Sequence, residues 1–293
     1  MVGKKTEVGS LSAPASKIRD VDSNRDAKKE YLERHIPGAM FWDVDEHSDK
    51  NSSYPHMISD SNYWTKMLLS FGITNHDHII VYDHSHLYSA CRLWFVLRYF
   101  GHKKVSILNG GFKSWKEDWD NDTEAGFALP EKKTYKSTIN KDILANKDDV
   151  LEVINKSGYL IDARPSAMYM GINTSLPAVR SGTIPQAVNI PNEWMLVNGS
   201  LFFQDKVNLE KIFEYLGIFS KDGQISFCNA GLESALSWFV MSEILEFPNN
   251  KLYESSLAEW SKDSSLPMID IINFSKNKSG EKEIDSFSMK PEE

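Results

Sequence analysis

The sequence predicts an α/β fold of two similar tandem domains, each a parallel sheet with helices on both faces. Three observations predict it. Short apolar runs alternate with amphipathic, helically spaced stretches in each half of the chain. A set of motifs recurs in one order at a nearly constant offset. The length of 293 residues suits two domains of ordinary size, each able to bury a core without disulfides or structural metals.

The repeat is the strongest of these. VYDHSHLYSACRLWF (81–95) aligns with SFCNAGLESALSWFV (226–240), placing Asp83 on Cys228, Leu87 on Leu232, Ser89 on Ser234, Ala90 on Ala235 and Trp94 on Phe239, all 145 residues apart. The same offset sets Trp115 on Trp260. Upstream, RHIPGAMFWD (34–43) matches SGTIPQAVNIP (181–191) through a shared Ile-Pro-x-Ala, at an offset of 148. Three matches in register indicate a duplicated domain.

In the first half HIIVYD (78–83) reads as a buried strand, 89–100 as a helix, KVSILNGG as a second strand ending in glycines, and FKSWKED as the start of another helix. In the second half GYLIDAR (158–164) and DGQISFCN read as strands, the latter followed by a helix from about 232 to 245. The expected boundaries are a loose N-terminal segment at 1–16, a first domain at 17–125, a polar linker at 126–149, a second domain at 150–275 and a polar tail at 276–293.

Composition narrows the function. Hydrophobic residues make up 41% and charged residues 25%, a globular balance. The net charge of -8, with an isoelectric point near 5.6, argues against nucleic acid or an anionic membrane face as partner. No apolar run is long enough to span a membrane. Two cysteines, Cys91 and Cys228, form no disulfide framework, so the expected location is a reducing interior such as the cytoplasm. The opening MVGKKTEVGSLSAPASK lacks a secretory core, and its Lys and Ser content keeps a mitochondrial leader open. His and Cys show no zinc spacing.

Cys228 ends a predicted strand and is followed by Asn229, Ala230, Gly231, Leu232 and Glu233 as a helix begins. Ligand sites in open parallel sheets lie at the carboxyl ends of strands. A short loop entering a helix turns backbone N–H groups inward, which stabilises a thiolate and favours a nucleophile. Gly231 permits the tight turn. The plainer reading of Cys228 is a small buried apolar residue.

The segments RHIPGAMFWDVDEHSD, SSYPHM, VYDHSHLYSACRLWFVLRYFGHKKVSILNGG, LIDAR, SGTIPQAVNIP and CNAGLESA resemble the tandem rhodanese family, which includes thiosulfate sulfurtransferase and 3-mercaptopyruvate sulfurtransferase. The resemblance runs from about residue 17 to 260. It implies two rhodanese-like domains, the first catalytically silent with Asp83 where the second carries Cys228. It implies a ping-pong sulfur transfer from thiosulfate or 3-mercaptopyruvate through a Cys228 persulfide to a thiol or cyanide, with no metal or organic cofactor. The implied partners are a small anionic sulfur donor and that acceptor, with no nucleic acid and no membrane.

The catalytic half departs from the family. Asn229 and Ala230 stand where basic residues or a Gly-Ser pair are usual, and Leu232-Glu233 where Val-Thr is usual. Glu233 turned inward would oppose a thiolate; a charged side chain at a helix start is expected to face solvent instead. Met168 stands where an anion-binding Arg is usual, and Leu176 lies near the place of another. Arg180 is a candidate substrate residue, or an ordinary turn residue ahead of Gly182. Ser255-Ser256-Leu257 replaces Gly-Ser-Trp. Cys91, Trp94, Trp115 and Trp260 are expected in the core, and His56 and Arg92 in structural or interdomain roles. Three functions are in competition: an active sulfurtransferase, a non-catalytic rhodanese-like binding protein, and a Cys-x5-Arg phosphatase. The last is disfavoured because Ser234, not Arg, follows Cys228 by six positions.

Overall fold

Short apolar runs followed by helical spacing form strands and the helices that cover them, and the chain does this in both halves. The computed structural model describes residues 9–12 and 26–273, apart from 129, 132, 157 and 220–222. The first sheet holds β1 (Gly9–Ser12), β2 (Ala39–Phe41), β3 (Ile79–Tyr82) and β4 (Val105–Ile107), in the order β2-β1-β3-β4. The second holds β5 (Leu144–Ala145), β6 (Tyr159–Asp162), β7 (Ala187–Asn189), β8 (Gln224–Phe227) and β9 (Lys251–Tyr253), in the order β5-β9-β8-β6-β7. The described pairings within both sheets are parallel.

The duplication is explicit in three dimensions. β3 and β8 begin and end 145 residues apart, and so do α2 (Ser61–Ser70) and α7 (Lys206–Tyr215). Beside β3 or β8 in each sheet lies an interior strand, β1 or β6, with β2 or β7 on its other side. The helix after β3, α3 (Tyr88–Tyr99), matches α8 (Glu233–Phe239), which continues as a π-helical turn over Val240–Ile244. Asp83 and Cys228 each directly follow the last residue of their strand.

Two boundaries differ from expectation. Residues 9–12, placed in the loose N-terminal segment, form an interior strand of the first sheet, with Leu11 opposite both Met40 and Val81. Gly-Ser-Leu-Ser has no β-branched run, so nothing in its side chains marks a strand. Backbone pairing on both edges holds it there. The expected linker is divided between the domains. Gly126 N–H donates to the Leu32 carbonyl (2.9 Å), Thr138 N–H to Phe100 (3.0 Å) and Asn140 N–H to Tyr99 (2.7 Å), so this stretch runs along the first domain. Buried Tyr135 meets His102 Nδ1 at 3.1 Å, and burial pushes the Tyr135 hydroxyl up to about 12. The second domain then begins with β5 and α5 (Lys147–Asn155), whose Asn146–Asp149 capping box satisfies the first turn. The tail at 276–293 lies outside the described residues. Among those described, no helix is long and apolar enough to cross a membrane.

The domains meet along α3 and α8. Trp94 and Phe95 pack on Trp238 with ring centroids 5.4 and 4.8 Å apart, and Trp94 lies edge-on to Phe239 at 5.0 Å. One apolar cluster therefore contains residues of both halves, including Cys91 and Trp94. A buried ion pair closes the seam. Arg92 Nη2 lies 2.7 Å from Glu254 Oε2 and also donates to the His56 carbonyl at 2.7 Å. His56 is held in turn by Asp45 (Nε2–Oδ1, 3.0 Å).

Removing one member of a buried pair strands the other charge. Arg92→Met is expected to lower stability by about 3 kcal/mol or more, and Arg92→Met combined with Glu254→Gln by less. Urea unfolding followed by tryptophan fluorescence checks the order of the midpoints.

Candidate active site

β8 is buried along its length, and its last residue delivers the chain into a loop closed on all sides. Cys228 is 1% exposed, and Asn229, Ala230 and Leu232 are buried with it. Gly231 N–H donates to Cys228 Sγ at 3.1 Å, and the Ser234 hydroxyl donates to it at 3.5 Å. Both donors stabilise negative charge on sulfur. Gly231 has φ +78, and a Cβ there would sit 2.6 Å from the Glu254 carbonyl oxygen, so glycine is required for conformation and for space.

The loop is seated on the chain that leaves β9. Cys228 N–H donates to Ser256 Oγ (3.0 Å), whose own proton goes to the Tyr253 carbonyl (2.7 Å). Leu257 and Ala258, in α9 (Ser256–Trp260), return N–H bonds to the carbonyls of Cys228 (3.2 Å) and Asn229 (2.9 Å). Ser256 adopts φ +50, a left-handed conformation that costs a non-glycine residue energy. The equivalent residue of the first domain is Gly111, at φ +60, and Phe112 N–H there donates to the Asp83 carbonyl (3.0 Å). The second domain thus replaces a glycine by a serine whose hydroxyl captures the N–H of Cys228.

The loop at Asp83 shows what such a turn can hold. Its carboxylate accepts from Ser85 and Leu87 N–H through Oδ1 (both 3.1 Å) and from Ala90 N–H through Oδ2 (3.2 Å). Burial pushes the Asp83 carboxyl up, against the pull of these three donors and of His86. The two loops reach their helices differently, since the left-handed residue is Leu87 in one and Gly231 in the other.

Asn229 turns to the other wall. Its Nδ2 donates to Ser175 Oγ (3.1 Å) and approaches Met168 Sδ (3.9 Å), to which Ser175 Oγ also donates (3.7 Å). Asn229 Oδ1 is buried with no protein partner among the described residues. Glu233, expected to face solvent, is 4% exposed. Around it, Asn192 Nδ2 donates to the Glu233 backbone carbonyl (2.9 Å), and α3 of the first domain packs on α8. A carboxylate in a first helical turn is favoured by the helix dipole.

Cys228, Asn229, Ala230, Gly231, Leu232 and Glu233 are thus brought together. Arg180 is not. Four of its five N–H groups bond the carbonyls of Trp260, Ser261, Asp263 and Leu266 at 2.7–3.0 Å, so its guanidinium clamps the chain after α9. Arg164 is engaged too, with Asp162 (Nη2–Oδ2, 2.6 Å) and the Gly182 carbonyl (2.8 Å).

These strand-end loops, duplicated about an interdomain seam, can be compared with known proteins. A rhodanese-like domain model matches residues 10–118, which takes in β1. The chain is 34% identical to the 3-mercaptopyruvate sulfurtransferase of Escherichia coli K12, over 84% of this chain and 86% of that protein. It is also 34% identical to the thiosulfate sulfurtransferase of Bos taurus, over 80% of each. The chain belongs to the tandem-domain rhodanese family of sulfurtransferases. The crystal structure of SseA from Escherichia coli matches with a TM-score of 0.76 at 32% identity, covering 85% of this chain and 92% of that one. Tum1 from Saccharomyces cerevisiae shares the fold, with a TM-score of 0.80 at 21% identity.

Within this rhodanese, sequence reasoning overlooked three contacts: Ser256 on the Cys228 N–H, Ser175 on Asn229, and Glu254 beneath Gly231. The alignment of Gly111 with Ser256 was a usable signal for the first. The others come from distant segments and leave no local trace.

Both cysteines are buried, but their surroundings differ. Burial pushes the Cys91 thiol well up, and the charge of Asp83 adds to this, whereas Cys228 carries two hydrogen-bond donors on its sulfur. At neutral pH, limited alkylation followed by peptide mapping should label Cys228 well ahead of Cys91. Equal or preferential labelling of Cys91 would contradict this difference.

Proposed function

We propose that this rhodanese carries sulfur on Cys228, taking it from thiosulfate or 3-mercaptopyruvate and passing it to a thiol or cyanide. The observation that carries this reading is the pair of equivalent loops. The Asp83 carboxylate lies in a strand-end turn as a buried group held by three backbone N–H bonds. Cys228 lies at the same place in the second domain, with its sulfur one bond from Cβ. A persulfide would extend that side chain by one atom, to the reach of a carboxylate oxygen. The names of the curated relatives support the donors.

In the first half-reaction the Cys228 thiolate attacks the transferable sulfur of the donor. The bond from that sulfur to the rest of the donor breaks, and its electrons leave with sulfite or with the enolate of pyruvate. In the second, the acceptor attacks the outer sulfur and Cys228 leaves as thiolate. Gly231 N–H stabilises the charge on Sγ at the beginning and end of this cycle. Two thiols outside any disulfide are consistent with a reducing compartment.

Donor capture is expected to be weak. Met168, where the family resemblance implies an anion-binding arginine, stands in the wall facing Asn229, and the guanidiniums of Arg164 and Arg180 are engaged elsewhere. A hydrogen bond to a charged group contributes about 1.5–3 kcal/mol, and about 1.4 kcal/mol is a factor of ten. Met168→Arg is therefore expected to raise kcat/KM for thiosulfate roughly tenfold, while Cys228→Ala abolishes transfer. Steady-state sulfur transfer to cyanide tests both. Undiminished transfer by Cys228→Ala would overturn the assignment, and parent turnover unchanged by Met168→Arg would overturn the account of donor capture.

A further inference from the structure

We infer that Ser234 is a catalytic residue of this site, its hydroxyl stabilising Sγ of Cys228 whenever that sulfur is anionic. The inference rests on the sulfur-transfer reading for its role in turnover, and on geometry for its contact with the thiolate.

Among the described residues, the donors placed on Cys228 Sγ are Gly231 N–H at 3.1 Å and Ser234 Oγ at 3.5 Å. The remaining side chains of the loop offer no hydroxyl: position 230 is Ala, 232 is Leu and 233 is Glu. Ser234 lies in the first turn of α8, fully buried, so its hydroxyl does not exchange this bond for water. Its backbone is tied down by Ser226 Oγ, which donates to the Ser234 carbonyl at 3.1 Å from within β8. Strand and helix therefore hold the hydroxyl in place before any ligand arrives, the condition for electrostatic stabilisation without reorganisation.

The chemistry gives this bond a definite place in the cycle. When an acceptor attacks the outer sulfur of the persulfide, the S–S bond breaks and its electron pair goes to Sγ. Charge develops on Sγ, where the Ser234 hydroxyl points. The same contact supports the attacking thiolate in the first half-reaction. In the persulfide itself Sγ is a bridging sulfur without formal charge, so the bond is strongest in the states that flank the intermediate.

The test uses Ser234→Ala, Ser234→Val and Ser234→Thr in the full-length protein, with Cys228 alkylation by iodoacetamide followed across pH by peptide mapping. Loss of the hydroxyl should displace the alkylation profile toward alkaline pH by about one unit, equivalent to a tenfold loss of thiolate on its acid side. Ser234→Thr should keep the parent profile. Truncation opens space beside the sulfur, so a steric effect alone would speed alkylation without displacing the profile. The discharge of preformed persulfide by cyanide should slow roughly tenfold in Ser234→Ala and recover in Ser234→Thr. Profiles of Ser234→Ala or Ser234→Val that coincide with the parent would overturn the inference. A displaced profile in a protein that never accepts sulfur would instead uphold the Ser234 contact and overturn the sulfur-transfer reading. Ser234→Val, which has the shape of threonine without its hydroxyl, provides the same readout should the alanine variant fail to fold.

Discussion

The loop after β8 lies backbone against backbone on the segment that leaves β9, and this contact orders the second domain's site. At Gly231 a side chain would meet the Glu254 carbonyl at 2.6 Å, and the N–H of Cys228 is fixed by the Ser256 hydroxyl. Neither strand end can move without the other. The Glu254 side chain, from the same segment, then reaches across the seam to Arg92 in the first domain. The first domain is thereby coupled to the loop of Cys228 through one buried ion pair and the aromatic packing of α3 on α8. A site closed this tightly keeps bulk water from competing for the donors on Sγ.

The two loops show how one fold separates two outcomes. In the first domain Asp83 supplies the negative group itself, and three backbone N–H bonds are spent on it. In the second domain the side chain is shorter by one atom and ends in a thiol. Gly111 and Ser256 mark the same asymmetry from the other side. The first domain uses glycine where the backbone turns left-handed, whereas the second accepts a strained serine and obtains a bond to the Cys228 N–H. Strain of this kind persists where the surroundings over-determine it, and here it lies directly against the candidate nucleophile.

Much of this was legible in the sequence because its signals are local. β3, β8, α3 and α8 carry short apolar runs or helical spacing within a few residues, and the 145-residue offset makes each half a check on the other. The loop from Cys228 to Glu233 followed from that alignment. What escaped depends on distant partners. β1 is a strand because two neighbours pair with it, although Gly-Ser-Leu-Ser shows no strand pattern. Glu233 is buried in a helix that packs against the other domain, which helix position alone does not reveal. Arg180 read as a candidate for substrate, and the carbonyls that engage it lie some 80 residues further along the chain.

The measurement that bears most directly on Cys228 as sulfur carrier is the intact mass of the protein after incubation with thiosulfate or 3-mercaptopyruvate. The account predicts a gain of one sulfur atom, localised to the peptide containing Cys228, lost on addition of cyanide and absent from Cys228→Ala. A gain that persists in Cys228→Ala, a sulfur localised to Cys91, or no gain with either donor would contradict it.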